Sequence, residues 1–180
     1  MPNDSAAAFI ARWRIGIGFL FGAIVFWLAV PTRATIVAGV ILGGAGEALR
    51  IWAAGHLHKS QEVTTSGPYR LFVHPLYVGS SIMGAGLALA SGSLIVAVLI
   101  ALYLLVALPT AARRETAFLK QTFGESYERY RSGRVASDAR MNGVERRFSL
   151  ARAFANREDR ALLGFLLAAL LLALKARANV

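Results

Sequence analysis

Cysteine is absent from the sequence, and its absence excludes several kinds of chemistry. Without thiols there is no disulfide, no Cys-type zinc or iron–sulfur site and no thiolate nucleophile. Acidic residues are also few, because 10 Asp and Glu stand against 20 Lys and Arg, for a formal net charge of +10. A Gly-x-Gly-x-x-Gly spacing after a strand is missing as well, which argues against a Rossmann-type cofactor domain. The redox compartment stays undetermined.

Apolar residues dominate instead. Of the 180 residues, 56% are hydrophobic and only 17% are charged, and the mean hydropathy of +0.52 is too high for an ordinary soluble domain. The composition therefore predicts an integral membrane protein. Its positive charge, which would suggest nucleic acid in a soluble protein, is better explained by basic loops beside anionic headgroups. We expect membrane lipids as partners, and neither nucleic acid nor metal.

Long uncharged runs predict an all-α polytopic bundle of about five spans, forming one domain over residues 1–180. The uncharged run from Pro75 to Ala112 would extend roughly 57 Å as one helix, far beyond a ~30 Å hydrocarbon core. Ser91-Gly92-Ser93 is its one break of turn composition, so we expect a tight helical hairpin there. The predicted spans are about 12–31, 34–55, 75–90, 94–112 and 161–176. The last is short, and a re-entrant or interfacial helix is its alternative.

Lys and Arg are distributed unevenly about these spans. With the N-terminus inside, most of them lie on the inner side, chiefly between Arg113 and Arg160, as the positive-inside rule requires. The first apolar run lacks a convincing cleavage site and is interpreted as a retained span.

Glu47 and Arg50 lie three residues apart in the second span, where an ion pair is energetically costly. They are either a structural pair near the interface or the centre of a small transporter.

The polar segment before the third span joins turn residues to groups that can bind a ligand. Pro75 pushes His74 out of the helical region and itself suits the first position of a helix. A helix is therefore predicted to begin at Pro75, with its N–H groups and positive dipole end near His74, Tyr69 and Arg70. Such a place suits an anionic group. The simpler interpretation is that the glycine and proline residues of this segment only form turns before a membrane helix.

A second segment follows the fourth span and has helical periodicity. Its apolar face is formed by Leu119, Phe123, Tyr127 and Tyr130. Glu115, one turn before Leu119, falls on this face and is predicted to point inward. A carboxylate there needs a partner, which the neighbouring arginines, the His74 turn or a cationic ligand can supply. The alternative is an interfacial amphipathic helix in which Glu115 pairs with Arg113 or Arg114. His56 and His58 have no ligand spacing typical of a metal site.

Both segments resemble one family. Gly67-Pro68-Tyr69-Arg70 with His74-Pro75-Leu76-Tyr77-Val78-Gly79 is similar to the signature of the integral membrane methyltransferases that include isoprenylcysteine carboxyl methyltransferase and the phospholipid N-methyltransferases. The second segment resembles the family's C-terminal signature through Glu115, Leu119, Phe123, Gly124, Tyr127 and Tyr130. Two positions depart from the pattern. Val73 replaces the usual arginine before the His-Pro pair, and Thr116 replaces the second of two glutamates.

The resemblance implies methyl transfer from S-adenosylmethionine to a lipophilic acceptor at the cytoplasmic membrane face. The acceptor would be an isoprenylcysteine-like carboxylate or a phospholipid amine that enters laterally from the lipid. Cofactor binding is expected of Tyr69, His74, Pro75, Tyr77, Gly79, Glu115, Tyr127 and Tyr130. The catalytic candidates are Glu115, Arg114 and Arg70, with Lys59 and His56 as further contacts. The alternative is an inactive relative or a small lipid-binding or transport protein, which predicts no cofactor affinity.

Overall fold

The computed structural model describes residue 16 and residues 18–133 and 147–178. Within these residues the regular structure is entirely helical, which confirms the all-α prediction. A 3₁₀ turn over Gly67–Arg70 precedes the third helix. In chain order the α-helices are α1 (Gly18–Leu28), α2 (Arg33–His56), α3 (Pro75–Ala90), α4 (Leu94–Phe123), α5 (Glu125–Arg131), α6 (Leu150–Ala155) and α7 (Glu158–Ala178). Residues 12–15 and 17 of the predicted first span lie outside the described residues.

The long helices match the dimensions of a membrane. Among the described helices, α2, α4 and α7 are long and apolar enough to cross one, while α1 and α3 are shorter and apolar. Large apolar side chains cover the outer surface, with Phe19 77%, Trp27 81% and Leu94 81% exposed. Such a surface suits contact with lipid chains, because exposing so much apolar area to water is unfavourable. The protein is a helical membrane protein, and the number of its spans, about five, stays a prediction.

Residues that favour helix N-termini mark the starts of α2, α3 and α4. The Thr32 and Ser93 hydroxyls each accept a hydrogen bond from the backbone N–H three residues later, at 3.2 Å and 3.5 Å. Pro75 occupies the first position of α3, preceded by His74 in a non-helical conformation. The α3–α4 hairpin turns at Gly92, whose positive φ of 63° suits glycine. The start at Pro75 and the hairpin are therefore confirmed.

The end of α4 differs from the predicted span of 94–112. The helix passes through Pro109 and Arg113 without a break and ends at Phe123. Gly124, with a positive φ of 47°, then separates α4 from α5. The amphipathic segment predicted after the span is therefore the last turns of α4 together with α5.

Contact between α2 and α3 is almost backbone to backbone. A Cβ atom on Gly39 would lie 2.5 Å from the Ala90 nitrogen, and one on Gly46 would lie 2.5 Å from the Met83 nitrogen. A Cβ on Gly86 would overlap the backbone of α2. Glycine is thus required along this contact. Gly39 and Gly43 lie four residues apart in the second span, a spacing of small residues that predicts close packing against another helix.

Gly18 and Gly22 behave differently, although the same small-residue spacing predicts a helix contact there. A Cβ on either would meet no described atom within 4 Å. Both line a cavity of about 780 Å³ bounded by α1, α3, α4 and α7, which we call the apolar cavity. Its polar lining includes Ser80, Ser91 and Tyr103.

An ion pair ties α7 to α2 and α3. Arg50 donates to both carboxylate oxygens of Glu158, from Nε at 3.1 Å and from Nη2 at 3.0 Å, and its Nη1 donates to Ser80. Glu47 lies 3.5 Å from Arg50 Nε. Because Arg50 is bonded to residues on two other helices, the Glu47 and Arg50 pair is part of the packing of the bundle.

The segment before α7 closes the C-terminal end of α2. Arg152 donates to the Gly55 carbonyl at 2.7 Å, and Asn156 donates to the carbonyls of Ala54 and Leu57 at 2.9 Å and 3.0 Å. The last carbonyls of a helix have no partner within the helix. These side chains satisfy them and hold the end of α2 in place.

Replacing Gly46 by alanine tests the backbone contact. The added Cβ must push α3 away, so Gly46→Ala is expected to lower the free energy of unfolding by about 1–3 kcal/mol, despite alanine's higher helix propensity. Gly44→Ala is the matched control, because a Cβ there meets no described atom within 4 Å. Thermal unfolding in detergent measures both. Equal midpoints for the two variants would contradict the contact.

Removing either partner of the Arg50 and Glu158 pair tests the link to α7. Arg50→Met leaves the Glu158 carboxylate buried without its cation, and breaking a buried pair costs about 3–5 kcal/mol. The double variant Arg50→Met with Glu158→Gln removes both charges of the pair and should recover part of the loss, because Glu47 still lacks its cation. Unfolding in detergent with a double-mutant cycle provides the measurement. Additive losses would show that the two side chains do not interact.

Candidate active site

His74 and Glu115 meet where α3 begins and the membrane part of α4 ends. His74 Nδ1 lies 3.4 Å from Glu115 Oε2. His74 is fixed at the N-terminal edge of α3 by Pro75, and Glu115 projects from α4 on the face that its periodicity predicts. Of the three partners considered for this carboxylate, the His74 turn is the one that the structure places in contact with it.

Two further groups interact with the Glu115 carboxylate. Burial raises the pKa of Glu115, but His74, the Tyr77 phenol one turn into α3 and the Lys59 ammonium favour the charged form, and together they lower the pKa below its usual value. The His74 and Tyr77 rings lie 5.5 Å apart. The Glu115 side chain remains 36% exposed, so an imidazole, a phenol and a partly accessible carboxylate share one small region.

Thr116 stands on the other side of the imidazole. Its hydroxyl lies 3.3 Å from His74 Nε2 and 3.4 Å from the hydroxyl of Tyr127. Tyr127 is buried, with 1% of its surface exposed. Thr116, one of the two positions that depart from the family pattern, thus connects His74 to Tyr127 of α5.

Tyr130 ties the second sequence segment to the first. Its hydroxyl donates to the carbonyl oxygens of Tyr69 at 2.9 Å and Phe72 at 3.2 Å. Burial raises the pKa of Tyr130 and of Tyr69 above the ordinary value of a phenol, and nearby Glu115 adds to both shifts. Tyr130 therefore stays protonated and able to donate at neutral pH.

Other predicted site residues lie apart from this cluster. Arg70 and Arg114 are exposed. Arg70 lines a cavity of about 150 Å³ together with Tyr69 and Tyr130. Gly79 belongs to the α2–α3 contact, since a Cβ on it would lie 2.6 Å from Arg50 Cγ. Roles for these residues in catalysis or cofactor binding stay predictions.

A groove with basic side chains runs along the outer side of α4 and has a volume of about 470 Å³. Thr116 lies on this groove, which we call the basic groove. Its other lining residues are Pro109, Ala112, Arg113, Ala117, Lys120 and Arg131. The apolar cavity reaches Leu108 of the same helix, so apolar and basic surfaces follow one another along α4.

Sequence reasoning missed two parts of this arrangement. Glu158 lies in the stretch between Arg113 and Arg160, where basic residues are frequent, and its place beside Asp159 gave no signal of a buried ion pair. Thr116 was noted as a departure, and its position next to Glu115 was the only hint of a contact with His74. No group of three or more metal-ligating side chains occurs in the described parts of the chain.

Comparison with known proteins identifies the family. The phospholipid methyltransferase family matches residues 13–126. The chain is 31% identical over 129 residues to the cobalt-zinc-cadmium resistance protein CzcN of Cupriavidus metallidurans, which covers 66% of this chain and 58% of that relative. It is 30% identical over 139 residues to the nickel-cobalt-cadmium resistance protein NccN of Alcaligenes xylosoxydans xylosoxydans. This alignment covers 69% of this chain and 62% of that relative.

The chain spans about three-fifths of the length of these two relatives. No solved structure matches it. The match to the family includes the beginning of α3 and the end of α4, the two places from which His74 and Glu115 come together. The chain therefore belongs to the phospholipid methyltransferase family of membrane proteins.

Proposed function

We propose that the protein transfers a methyl group from S-adenosylmethionine to a lipophilic acceptor at the cytoplasmic face of the membrane. The observation that carries this proposal is the meeting of His74 and Glu115 at 3.4 Å, which brings the two family segments together. Membership of the family supports the reaction type. The uneven distribution of Lys and Arg supports the cytoplasmic orientation.

The donor set fits S-adenosylmethionine, which presents an ammonium, a carboxylate, a sulfonium and an adenine. An ionised carboxylate has about four acceptor positions, and His74 and Tyr77 occupy two on Glu115. The exposed part of Glu115 can therefore accept from an ammonium. The N-terminus of α3 suits a carboxylate, and Tyr69 and Tyr77 provide aromatic surface for a sulfonium or adenine.

The protein's contribution to such a reaction is mainly positional. Bound S-adenosylmethionine supplies an electrophilic methyl group, and its transfer needs the acceptor nucleophile held close and in line. The Tyr130 hydrogen bonds fix α5 over the 3₁₀ turn and so set the width of the site.

The surfaces along α4 support an acceptor that is lipophilic at one end and polar at the other. The apolar cavity of about 780 Å³ has room for a hydrocarbon chain. The basic groove begins at Pro109, next to Leu108 of that cavity, and presents Arg113 and Lys120. A polar head containing a carboxylate or phosphate suits these cations.

A second candidate function is a role without methyl transfer. The observation that favours it is Thr116, which replaces a glutamate of the family pattern within contact of His74. The names of the two relatives concern metal resistance, so a non-catalytic part in metal resistance is the form that this candidate takes. It predicts a folded protein without cofactor affinity.

Calorimetric titration of the detergent-purified protein with S-adenosylmethionine and its demethylated product tests the proposal. Saturable binding is expected. His74→Ala and Glu115→Ala should weaken it roughly 10- to 100-fold, since hydrogen bonds to charged groups contribute about 1.5–3 kcal/mol. Glu125→Ala is the control, because this carboxylate lies in α5 and is 89% exposed. Absence of binding to folded protein, with and without added lipid, would favour the second candidate.

Tyr130→Phe tests whether the contact between the two segments shapes the cofactor site. It removes a hydroxyl and its two hydrogen bonds but keeps the ring. Net contributions of about 0.5–1.5 kcal/mol per bond predict roughly tenfold weaker binding of the demethylated product. Tyr103→Phe is the matched control for cofactor binding, because Tyr103 lines the apolar cavity, which is proposed for the acceptor and not for the cofactor. Unchanged affinity in Tyr130→Phe would show that this contact is not needed for the site.

A further inference from the structure

Thr116 is the residue through which the basic groove reaches His74. It is one of the groove's lining residues, and its hydroxyl lies 3.3 Å from His74 Nε2. His74 and Glu115 are not among the described residues that line the groove. A molecule in the groove therefore lies against Thr116, whose hydroxyl contacts the imidazole.

The partners of the imidazole fix the direction of its hydrogen bonds. An ionised carboxylate only accepts, so His74 Nδ1 must carry the proton that faces Glu115 Oε2 at 3.4 Å. In a neutral imidazole Nε2 then has a lone pair, to which Thr116 donates. The Thr116 oxygen in turn accepts from the Tyr127 hydroxyl at 3.4 Å. Tyr127, Thr116 and His74 each donate one hydrogen bond in this series, so the assigned directions are mutually consistent.

We propose that Thr116 is a positioning residue, which together with Glu115 holds neutral His74 as the Nδ1–H tautomer and connects its basic Nε2 to the basic groove. The inference rests on the proposed function, in which an acceptor occupies that groove. An acceptor that must lose a proton can then pass it to Nε2 through one hydroxyl: Thr116 oxygen takes the acceptor's proton as the Thr116 proton moves to Nε2. The resulting imidazolium keeps its bond to Glu115.

The charged and titratable groups around His74 agree with this direction. Glu115 faces it from α4 and Tyr77 from α3, while Tyr127 is reached through Thr116 from α5. Lys59, Tyr69 and Tyr130 interact electrostatically with Glu115. The acceptor of the Nδ1 proton is therefore on the Glu115 side, and the donors to Nε2 are on the Thr116 side.

Nitrogen NMR of the full chain in detergent, with ¹⁵N-labelled histidine, reads the tautomer without an activity assay. The spectra are recorded at a pH of about 9, where an ordinary histidine is neutral. Comparison with His74→Gln separates the His74 signals from those of His56 and His58. The variants are Thr116→Val, Thr116→Ala and Thr116→Ser, and Thr122→Val is the control because Thr122 is an exposed threonine of the same helix.

The proposal expects the Nδ1–H pattern to predominate in the unmodified protein, in Thr116→Ser and in Thr122→Val. It expects the fraction of the Nδ1–H tautomer to fall in Thr116→Val and Thr116→Ala, where only Glu115 still favours that tautomer. A predominant Nε2–H tautomer in the unmodified protein overturns it even if both of those variants fail to fold. An unchanged pattern in a folded Thr116→Val protein also overturns it.

Titration of the same samples with the demethylated cofactor product separates this proposal from the proposed function. A Thr116-dependent tautomer in a protein that does not bind the product would uphold the positioning role and contradict methyl transfer. Product binding without a Thr116-dependent tautomer would contradict the positioning role and support the proposed function.

Discussion

The close approach of α2 and α3 determines where the N-terminal end of α3 lies. Because Gly39, Gly46 and Gly86 have no side chains, the two backbones touch and α3 cannot slide or rotate freely against α2. This contact fixes the position of Pro75 and, with it, His74 at the N-terminal edge of α3. The hairpin then brings α4 back along α3, so that Glu115 reaches the level of His74. The meeting of His74 and Glu115 thus depends on a contact to which neither residue belongs.

Arg50 shows how the bundle accommodates charge. Taking an ion out of water costs several kcal/mol, which only good geometry and additional hydrogen bonds can offset. Arg50 has a bidentate carboxylate in Glu158 and a further acceptor in Ser80. Glu47 is 2% exposed, and its carboxylate lies near the same guanidinium without a hydrogen-bond partner among the described residues. One cation therefore stabilises two carboxylates, and α7 is held against α2 and α3 as a result.

Local sequence patterns predicted the features that depend on local physics. Proline at the first position of a helix, serine and glycine at a turn and the periodicity around Glu115 each act over a few residues, and each led to a feature that the structure contains. The same local patterns could not predict contacts between segments that are distant in the sequence. Arg50 and Glu158 are separated by 108 residues, and no local pattern indicates which charge meets which. The packing role of Gly79 likewise depends on the register of α2 against α3.

Threonine at position 116 also changes the charge balance of the basic groove. A glutamate there, as in the family pattern, would place a carboxylate on a groove that contains Arg113, Lys120 and Arg131. Lys120 is already paired with Glu128 at 2.7 Å, and its hydrogen bond lowers the pKa of Glu128 below the usual range, so that both stay charged. Arg113 and Arg131 then give the groove its positive balance, which a neutral threonine leaves intact. The same substitution that removes a family carboxylate therefore makes the groove more favourable for an anionic head group, and the hydroxyl keeps a polar contact to His74.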